Sequence, residues 1–461
     1  MIGMDPMLYA RIDAMEQDMI KTLQAWIRIP SVKAPAEPGA PFGAQMRRAL
    51  NRALDDGRAM GFLVRDFDGY AGDIQMGAGE ETLGILCHVD VVPAGDGWHT
   101  DPFGAQIDGD RMYGRGTSDD KGPCVAALYA MKAIKDAGIR LTKNVRLIVG
   151  CDEESGWDCM AHYASKTDMP SIGFSPDASF PVINTEKGLM QLVFRAPAGV
   201  PGVQVTSFNA GERRNVVPGF AEAALEGTPE QADRINVFAR EAGLDVSARA
   251  ENGAVYIRST GVSGHAAFPE AAKNAIGQIL LCLGGLGVAG ALGALASKVG
   301  METDGKSLGC DITDGLSGPL TLNLGVIRAD KNAVSGAFDI RFPVMADPEQ
   351  IVEAIRLALP GFEITVDTQK APHHVPESSA LVQALLEAYH EETGLPKQAL
   401  AIGGGTYARC LKQGVAFGSA FPDDQELAHQ ANEYLSIKGL MANVRIFANA
   451  IVRLAGEGSR T

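Results

Sequence analysis

The sequence predicts an α/β fold, a central sheet covered by helices on both faces, with a separate α+β segment inserted into it. Three observations predict this. Short apolar runs rich in branched residues alternate with helical patterns through the first part of the chain. Near Lys187 the texture changes to longer, alternating strand patterns with intervening helices, and after Ala371-Pro372 the first texture returns. Residues 1–186 and 371–461 therefore read as one discontinuous domain and 187–370 as the inserted one. Two domains also suit the length, because 461 residues exceed the ~250–300 at which a single core stops growing.

Met7 to Ile29 has a helical pattern that ends at Pro30, and Ala44 to Gly61 has another that closes at a glycine. Thr82 to Cys87 and Val145 to Val149 are apolar runs of a length suited to strands buried on both faces. Between them, Pro123 to Ala137 places a proline at the helix start and Gly138 just beyond its end. Ile172-Gly173-Phe174 is a third short run. In the insertion the patterned segments are Leu189 to Arg195, Gln231 to Ala242, Ala254 to Thr260, Lys273 to Leu286, Leu320 to Arg328, Ala333 to Phe342 and Pro348 to Ala358. The returning segment holds a helix from Ala380 to Glu392, a turn at Gly403-Gly404-Gly405 and a terminal helix from Ile437 to Leu454.

A formal charge of -15 with scattered basic residues leaves no electrostatic footprint for nucleic acid or an anionic membrane. Met-Ile-Gly-Met-Asp-Pro-Met-Leu lacks the basic, apolar and small-residue order of a secretory signal. The weakly polar tract from Ala275 to Leu295 reads as a buried helix and glycine-rich turn rather than a membrane span. The seven cysteines are widely spaced without a Cys-x-x-Cys, which suits reduced structural thiols. A cytoplasmic protein is expected.

The chemistry sits where apolar runs stop. His88 and Asp90 follow one, Glu153 and Glu154 another, Asp177 a third, and open α/β sheets bind ligands outside the carboxyl ends of their strands. Asp119, in Gly-Arg-Gly-Thr-Ser-Asp-Asp-Lys-Gly, and His429 complete the set. Imidazole nitrogen and carboxylate oxygen together suit Zn²⁺, and Mn²⁺ or Co²⁺ accept the same donors. Two ions ~3.5–4 Å apart need a shared carboxylate, and Asp119 on its glycine-flanked turn is the natural bridge. Asp90 is placed to orient the His88 ring through its second nitrogen. Of the paired glutamates, Glu154 is assigned to metal and Glu153 to the proton of the attacking water. Singly, each has an ordinary structural reading: a strand-end histidine, a solvated acidic pair, acids at a helix N-terminus, a turn aspartate. The tandem His373-His374 reads as structural, since neighbours in an extended segment point apart. Gly403 to Gly405 is no phosphate loop, because no Gly-Lys-Ser/Thr follows.

The motifs together resemble the co-catalytic di-zinc metallopeptidases that include aminoacylase, carnosinase, glutamate-type carboxypeptidases and succinyl-diaminopimelate desuccinylase. They are most similar to the bacterial cytosolic dipeptidases of the dipeptidase V type. The matching text runs from Trp26-Ile27-Arg28-Ile29-Pro30-Ser31-Val32 to His429. It includes His88 to Pro93, Tyr113 to Pro123, Glu153 to Gly156, Ser175 to Ala178, Gly264-His265 with Pro269 and Asn274-Ala275, and Ile402 to Arg409. The resemblance implies one metal on His88, Asp119 and Asp177, a second on Asp119, Glu154 and His429, and a cis peptide between Asp119 and Asp120. It implies that His265 helps hold the oxyanion, and that Asn215, Arg341 and Gly403, Gly404 and Gly405 face the substrate. It further implies that the insertion is a lid of ferredoxin-like strands and helices, roughly doubled, and that the chain works as a monomer on a small peptide. Ala272 departs from a pattern that often has glycine there. An N-acyl-amino-acid deacylase or desuccinylase, or a catalytically silent binding protein, would carry the same motifs; the intact Glu153 and full ligand set argue against the silent form.

Overall fold

The three expected apolar strands and an unexpected fourth lie side by side and parallel, in the order Asn144–Gly150, Thr82–His88, Ile172–Ser175, Gln413–Ala416. The computed structural model describes residues 6–199 and 203–457. The hairpin Leu63–Phe67 and Ala71–Met76 extends one side of this sheet antiparallel, and Val182–Glu186 extends the other. From Leu83 onward every residue of Thr82–His88 is buried, so both faces of the sheet are covered, as the unbroken apolar run requires. The hairpin was not among the expected elements. Its signal is Asp68-Gly69, where both residues take positive φ (55° and 77°) and Tyr70 N returns to Phe67 O; this is the primed turn that matches strand twist.

Helix Lys121–Asp136 is buried along almost its whole length, with Pro123 in the first turn, where a missing N–H costs nothing, and Gly138 at φ 68° just past its end. Helix Ile437–Ala455 packs against it, started by Ser436, whose side chain accepts from Gly439 N. The single helix expected from Met7 to Ile29 is two, Pro6–Ala14 and Glu16–Ile27. They part at Met15, where a tighter bond from Met15 N to Ile12 O interrupts the ladder. Leu83, Ile85, Leu147, Ile148, Phe174 and Phe447 lie in the core of this unit with essentially no exposure, each worth about 1.5–3 kcal/mol of burial.

By its contacts the chain divides into Met1–Asn184, Val375–Leu400 and Gly405–Thr461 as one unit, and Thr185–His374 with Ala401–Gly404 as the other. The divisions fall a few residues from 186/187 and 370/371, and Gly403 and Gly404 group with the insertion while Gly405 does not. The insertion is built on one eight-stranded antiparallel sheet. Gly188–Pro197, Thr321–Asp330, Ala333–Phe342 and Glu363–Lys370, with helix Pro348–Ala358 between the last two, follow a ferredoxin-like order. Phe220–Glu226, Val246–Glu251 and Ala254–Thr260 repeat three strands of that order, and Val205–Ala210 takes the fourth place, pairing with Thr321–Asp330 to join the halves.

The Ala275 to Leu295 tract forms two helices, Ala275–Gly285 and Gly290–Lys298, bent by 114°, whose apolar faces enter the insertion's core. No single helix among the described residues is long and apolar enough to cross a membrane. All seven cysteines are free thiols, and all but Cys410 are buried.

Gly84 and Gly173 face each other where the strands leading to His88 and Asp177 pair. A Cβ on Gly173 would stand 2.1 Å from Gly84 O. Gly173→Ala is therefore expected to lower stability by about 1–3 kcal/mol, the usual cost of overpacking. Urea unfolding checks this, and an unchanged midpoint would contradict the close approach.

Candidate metal centre

His88 is the last residue of its strand and is fully buried. Its Nδ1 lies 3.0 Å from Asp90 O and 3.3 Å from Asp90 Oδ1, so Asp90 is on the nitrogen away from the other acids. Asp90 Oδ2 accepts from Glu154 N at 3.0 Å, tying the first strand end to the glutamate pair. His88 Nε2 points the other way, 3.1 Å from Asp119 Oδ1 and 3.6 Å from Asp177 Oδ2. His429 Nε2 lies 3.0 Å from the second oxygen of Asp119 and 2.9 Å from Glu154 Oε1. The two oxygens of Asp119 thus face the two imidazoles, which is the arrangement of a shared carboxylate.

The donor atoms fall into two compact groups, His88 with Glu153 and Asp177, and Asp119 with Glu154 and His429; within each they lie no more than 4.8 Å apart. Glu153, assigned to the proton rather than to metal, therefore stands among the ligands of the first group. The Asp119–Asp120 peptide is cis, as are Phe180–Pro181 and Gly418–Ser419.

The electrostatics call for cations. Burial opposes charge on His88, but Asp177, Asp90 and Asp119 outweigh it and hold the ring well above the usual histidine range. His429, half exposed, is likewise pushed up to about 11 against partial desolvation, by Asp119 and Glu154. Asp119 is held well below the usual carboxylate range, because the His429 and His88 contacts overcome its burial. Burial and the Asp119 charge push Glu154 up to about 7 and Asp177 up to about 6. Burial, then Asp177, raises Glu153 well above its ordinary value. His88 Nε2 and Asp90 Oδ1 are also buried without a hydrogen-bond partner, a cost that a divalent cation on Nε2 would remove for the ring. The mixed imidazole and carboxylate set fits such ions.

Several supporting residues escaped the sequence reading. Asp120, buried and raised mainly by desolvation, accepts from His88 N at 2.9 Å. Lys121 is fully buried, donates to Trp26 O and Ile29 O, and is pushed down to about 7 by burial. Tyr407 stacks edge-on to both His88 and Trp157. Glu433 is buried against the Gly116 to Asp119 loop. Asp120 and Lys121 stand inside the recognised motif, whereas nothing in the spacing marks Glu433.

The remaining expected residues belong to the insertion, except Gly405. Asn215 and His265 are exposed neighbours. Strands Val216–Val217 and Gly264–His265 pair, and Ala266 N donates to Asn215 O. His265 Nδ1 accepts from Ala267 N at 3.2 Å, which places the proton of the neutral ring on Nε2. Buried Asn323 donates to Arg214 O and Val216 O on either side of Asn215, and Asn274 donates to Asn323 Oδ1. Arg341 is buried, with Nε and Nη2 on Asp339 and Nη1 on Gly403 O, so much of its fork is engaged within the insertion. A Cβ on Gly403 would meet Ala267 at 3.0 Å. Ala272 sits opposite Gly264, where a Cβ would come within 2.8 Å of it, so the glycine leaves it room. His374 Nδ1 pairs with Thr185 Oγ1.

The model of peptidase family M20/M25/M40 matches residues 84–453. A Bacillus subtilis (strain 168) protein named "Putative dipeptidase YtjP" is 41% identical over 457 residues, covering 95% of this chain and 98% of its own. A Staphylococcus aureus (strain USA300) protein, also named as a putative dipeptidase, is 35% identical over 464 residues, covering 97% and 99%. Among solved structures, human carnosine dipeptidase 1 superposes with a TM-score of 0.58 at 15% identity, covering 97% of this chain and 98% of its own. The dipeptidase Dug1p of Saccharomyces cerevisiae gives 0.59 at 16%, covering 96% and 97%. These two share the fold. With its family match spanning both flanks of the insertion and every residue of the metal centre, the chain belongs to peptidase family M20/M25/M40.

Proposed function

We propose that this chain is a metal-dependent dipeptidase that hydrolyses unblocked dipeptides. The observation that carries the reading is Asp119 set between His88 and His429, with Glu153 grouped with His88 and Glu154 with His429. Relatives matched over nearly their whole length and named as putative dipeptidases support it. In this reading one divalent ion is held by His88, Asp119 and Asp177 and the other by Asp119, Glu154 and His429, with Zn²⁺ first and Mn²⁺ or Co²⁺ as substitutes. Such a pair polarises a carbonyl and makes water acidic near neutral pH.

The chain's own groups do the rest. Glu153 takes the proton of the attacking water and returns it to the leaving amine nitrogen. Asp90 keeps the His88 ring oriented through Nδ1, by its backbone oxygen at 3.0 Å with the carboxylate beside it. His265, with its proton on Nε2, and the Asn215 amide stabilise the tetrahedral oxyanion. Arg341 N–H groups left over from Asp339 and Gly403, with the Gly403 to Gly405 turn, receive the peptide carboxylate. The substrate's free amine is drawn to the acidic metal side. The protein acts as a cytoplasmic monomer.

Chelator-treated protein is expected to release no amino acids from a dipeptide panel, and to regain turnover with added Zn²⁺, Mn²⁺ or Co²⁺. Glu153→Gln should lower kcat by about 10²- to 10⁴-fold, the usual worth of a general base. Turnover of acetylated or succinylated amino acids in place of free dipeptides would move the assignment to a deacylase. His265→Ala should lower kcat by about 10²- to 10³-fold, and mixing it with the Glu153→Gln protein should restore nothing; recovered activity would mean that a partner chain supplies the histidine.

Metal binding should also depend on pH. In the metal-free protein the His429 proton is bound more tightly than in the unfolded chain. Its contribution to stability is therefore complete below about 6.5 and lost as pH rises toward about 11. An ion must displace that proton, so Zn²⁺ affinity measured by competition titration should rise from about pH 6 to about pH 8. A flat profile would contradict the paired imidazoles.

A further inference from the structure

Glu433 is a buried carboxylate beside the metal centre that belongs to neither ligand group. Its Oε1 accepts from Ser118 N at 2.9 Å, Gly116 N at 3.0 Å, Ser118 Oγ at 3.1 Å and Asp119 N at 3.4 Å. Its Oε2 accepts from Arg115 Nη1 at 2.6 Å and Gly116 N at 3.1 Å. Strand pairing creates this closeness. Tyr434–Ser436 pairs with Arg111–Tyr113 in register Tyr434↔Tyr113, which sets Glu433 opposite Gly114, and Gly114 N donates to Glu433 O. The loop that contains His429 and Glu433 is pinned again at Asn432, whose Oδ1 accepts from His99 N and whose amide donates to Gly97 O.

We propose that Glu433 is a positioning residue that holds the shared ligand Asp119 and the ligand His429 as one rigid piece, and so sets the affinity for the ion on Asp119, Glu154 and His429. This rests on the two-metal reading above. The chemistry requires a carboxylate. Four donors converge on one oxygen and two on the other, whereas a glutamine would turn an NH₂ toward N–H groups and leave some of them buried without acceptors. Arg115, itself buried, supplies the countercharge that keeps the carboxylate from competing for the ions. The free end of Asp119 is then left with its two oxygens toward the two imidazoles, while Glu433 governs only its backbone.

The test is Zn²⁺ titration of the full-length, metal-stripped protein by calorimetry, with Co²⁺ absorption as a second readout. Wild type should bind two ions. Glu433→Gln should keep one near wild-type affinity and bind the other about 10- to 100-fold more weakly, as loss of a group that orients a ligand does, with one of two Co²⁺ bands altered. Ser118→Ala removes a single side-chain donor and should weaken the same ion by about 2- to 10-fold, one hydrogen bond's worth; it serves if Glu433→Gln does not fold. The proposal is overturned if either folded variant binds both ions as wild type does. It is overturned equally if both ions weaken together with the melting temperature of the metal-free protein, which is the mark of a general packing role. Wild type binding fewer than two ions would instead bring down the two-metal reading itself.

Discussion

Crowded negative charge is the constraint on which the rest of this structure depends. Asp90, Asp119, Asp120, Glu153, Glu154 and Asp177 come together around two imidazoles, and buried carboxylates cannot all ionise without compensation. Burial and the neighbouring acids push Glu153, Glu154, Asp120 and Asp177 above the ordinary carboxylate range, while Asp119, flanked by both rings, is held below it. A cluster of this kind is costly for stability alone. It makes sense as a donor set for divalent cations, which is how a member of this peptidase family uses it.

The scaffold meets that cost with fixed backbone and opposite charge. Parallel strands end together, so His88, Glu153 and Asp177 converge although they are far apart in sequence. Asp120 is neutralised in part by the His88 amide, and Glu433 by Arg115 and loop amides. Lys121 spends its proton donors on the Trp26 and Ile29 carbonyls, joining the N-terminal Trp-Ile-Arg-Ile-Pro segment to the ligand loop. The first and last thirds of the metal unit are thereby bound through polar groups at its centre.

The insertion carries a second set of polar positions with its own internal support. Asn274 caps helix Ala275–Gly285 and holds Asn323, which brackets Asn215 through the carbonyls beside it. Asn215 in turn is bonded through its carbonyl to the residue after His265. Arg341 is a different case. Its pairing with Asp339 keeps a buried guanidinium neutralised before any substrate arrives, so any role toward a carboxylate falls to its remaining N–H groups.

Much of this was legible from residues in order. The apolar runs named three of the four parallel strands to within a residue or two, because a strand buried on both faces admits little else, while Gln413–Ala416 was not among them; proline and glycine marked both ends of helix Lys121–Asp136. The motifs named the acids and histidines that cluster at the metal centre, since ligand chemistry restricts residue type. What the sequence could not determine was register and distance. That Asp119 turns one oxygen to each imidazole, that Glu433 lies against the Asp119 loop across more than three hundred residues, and that Gly403 groups with the insertion while Gly405 does not are products of long-range pairing. Local propensity is written along the chain, but convergence is decided only when strands distant in sequence choose their partners.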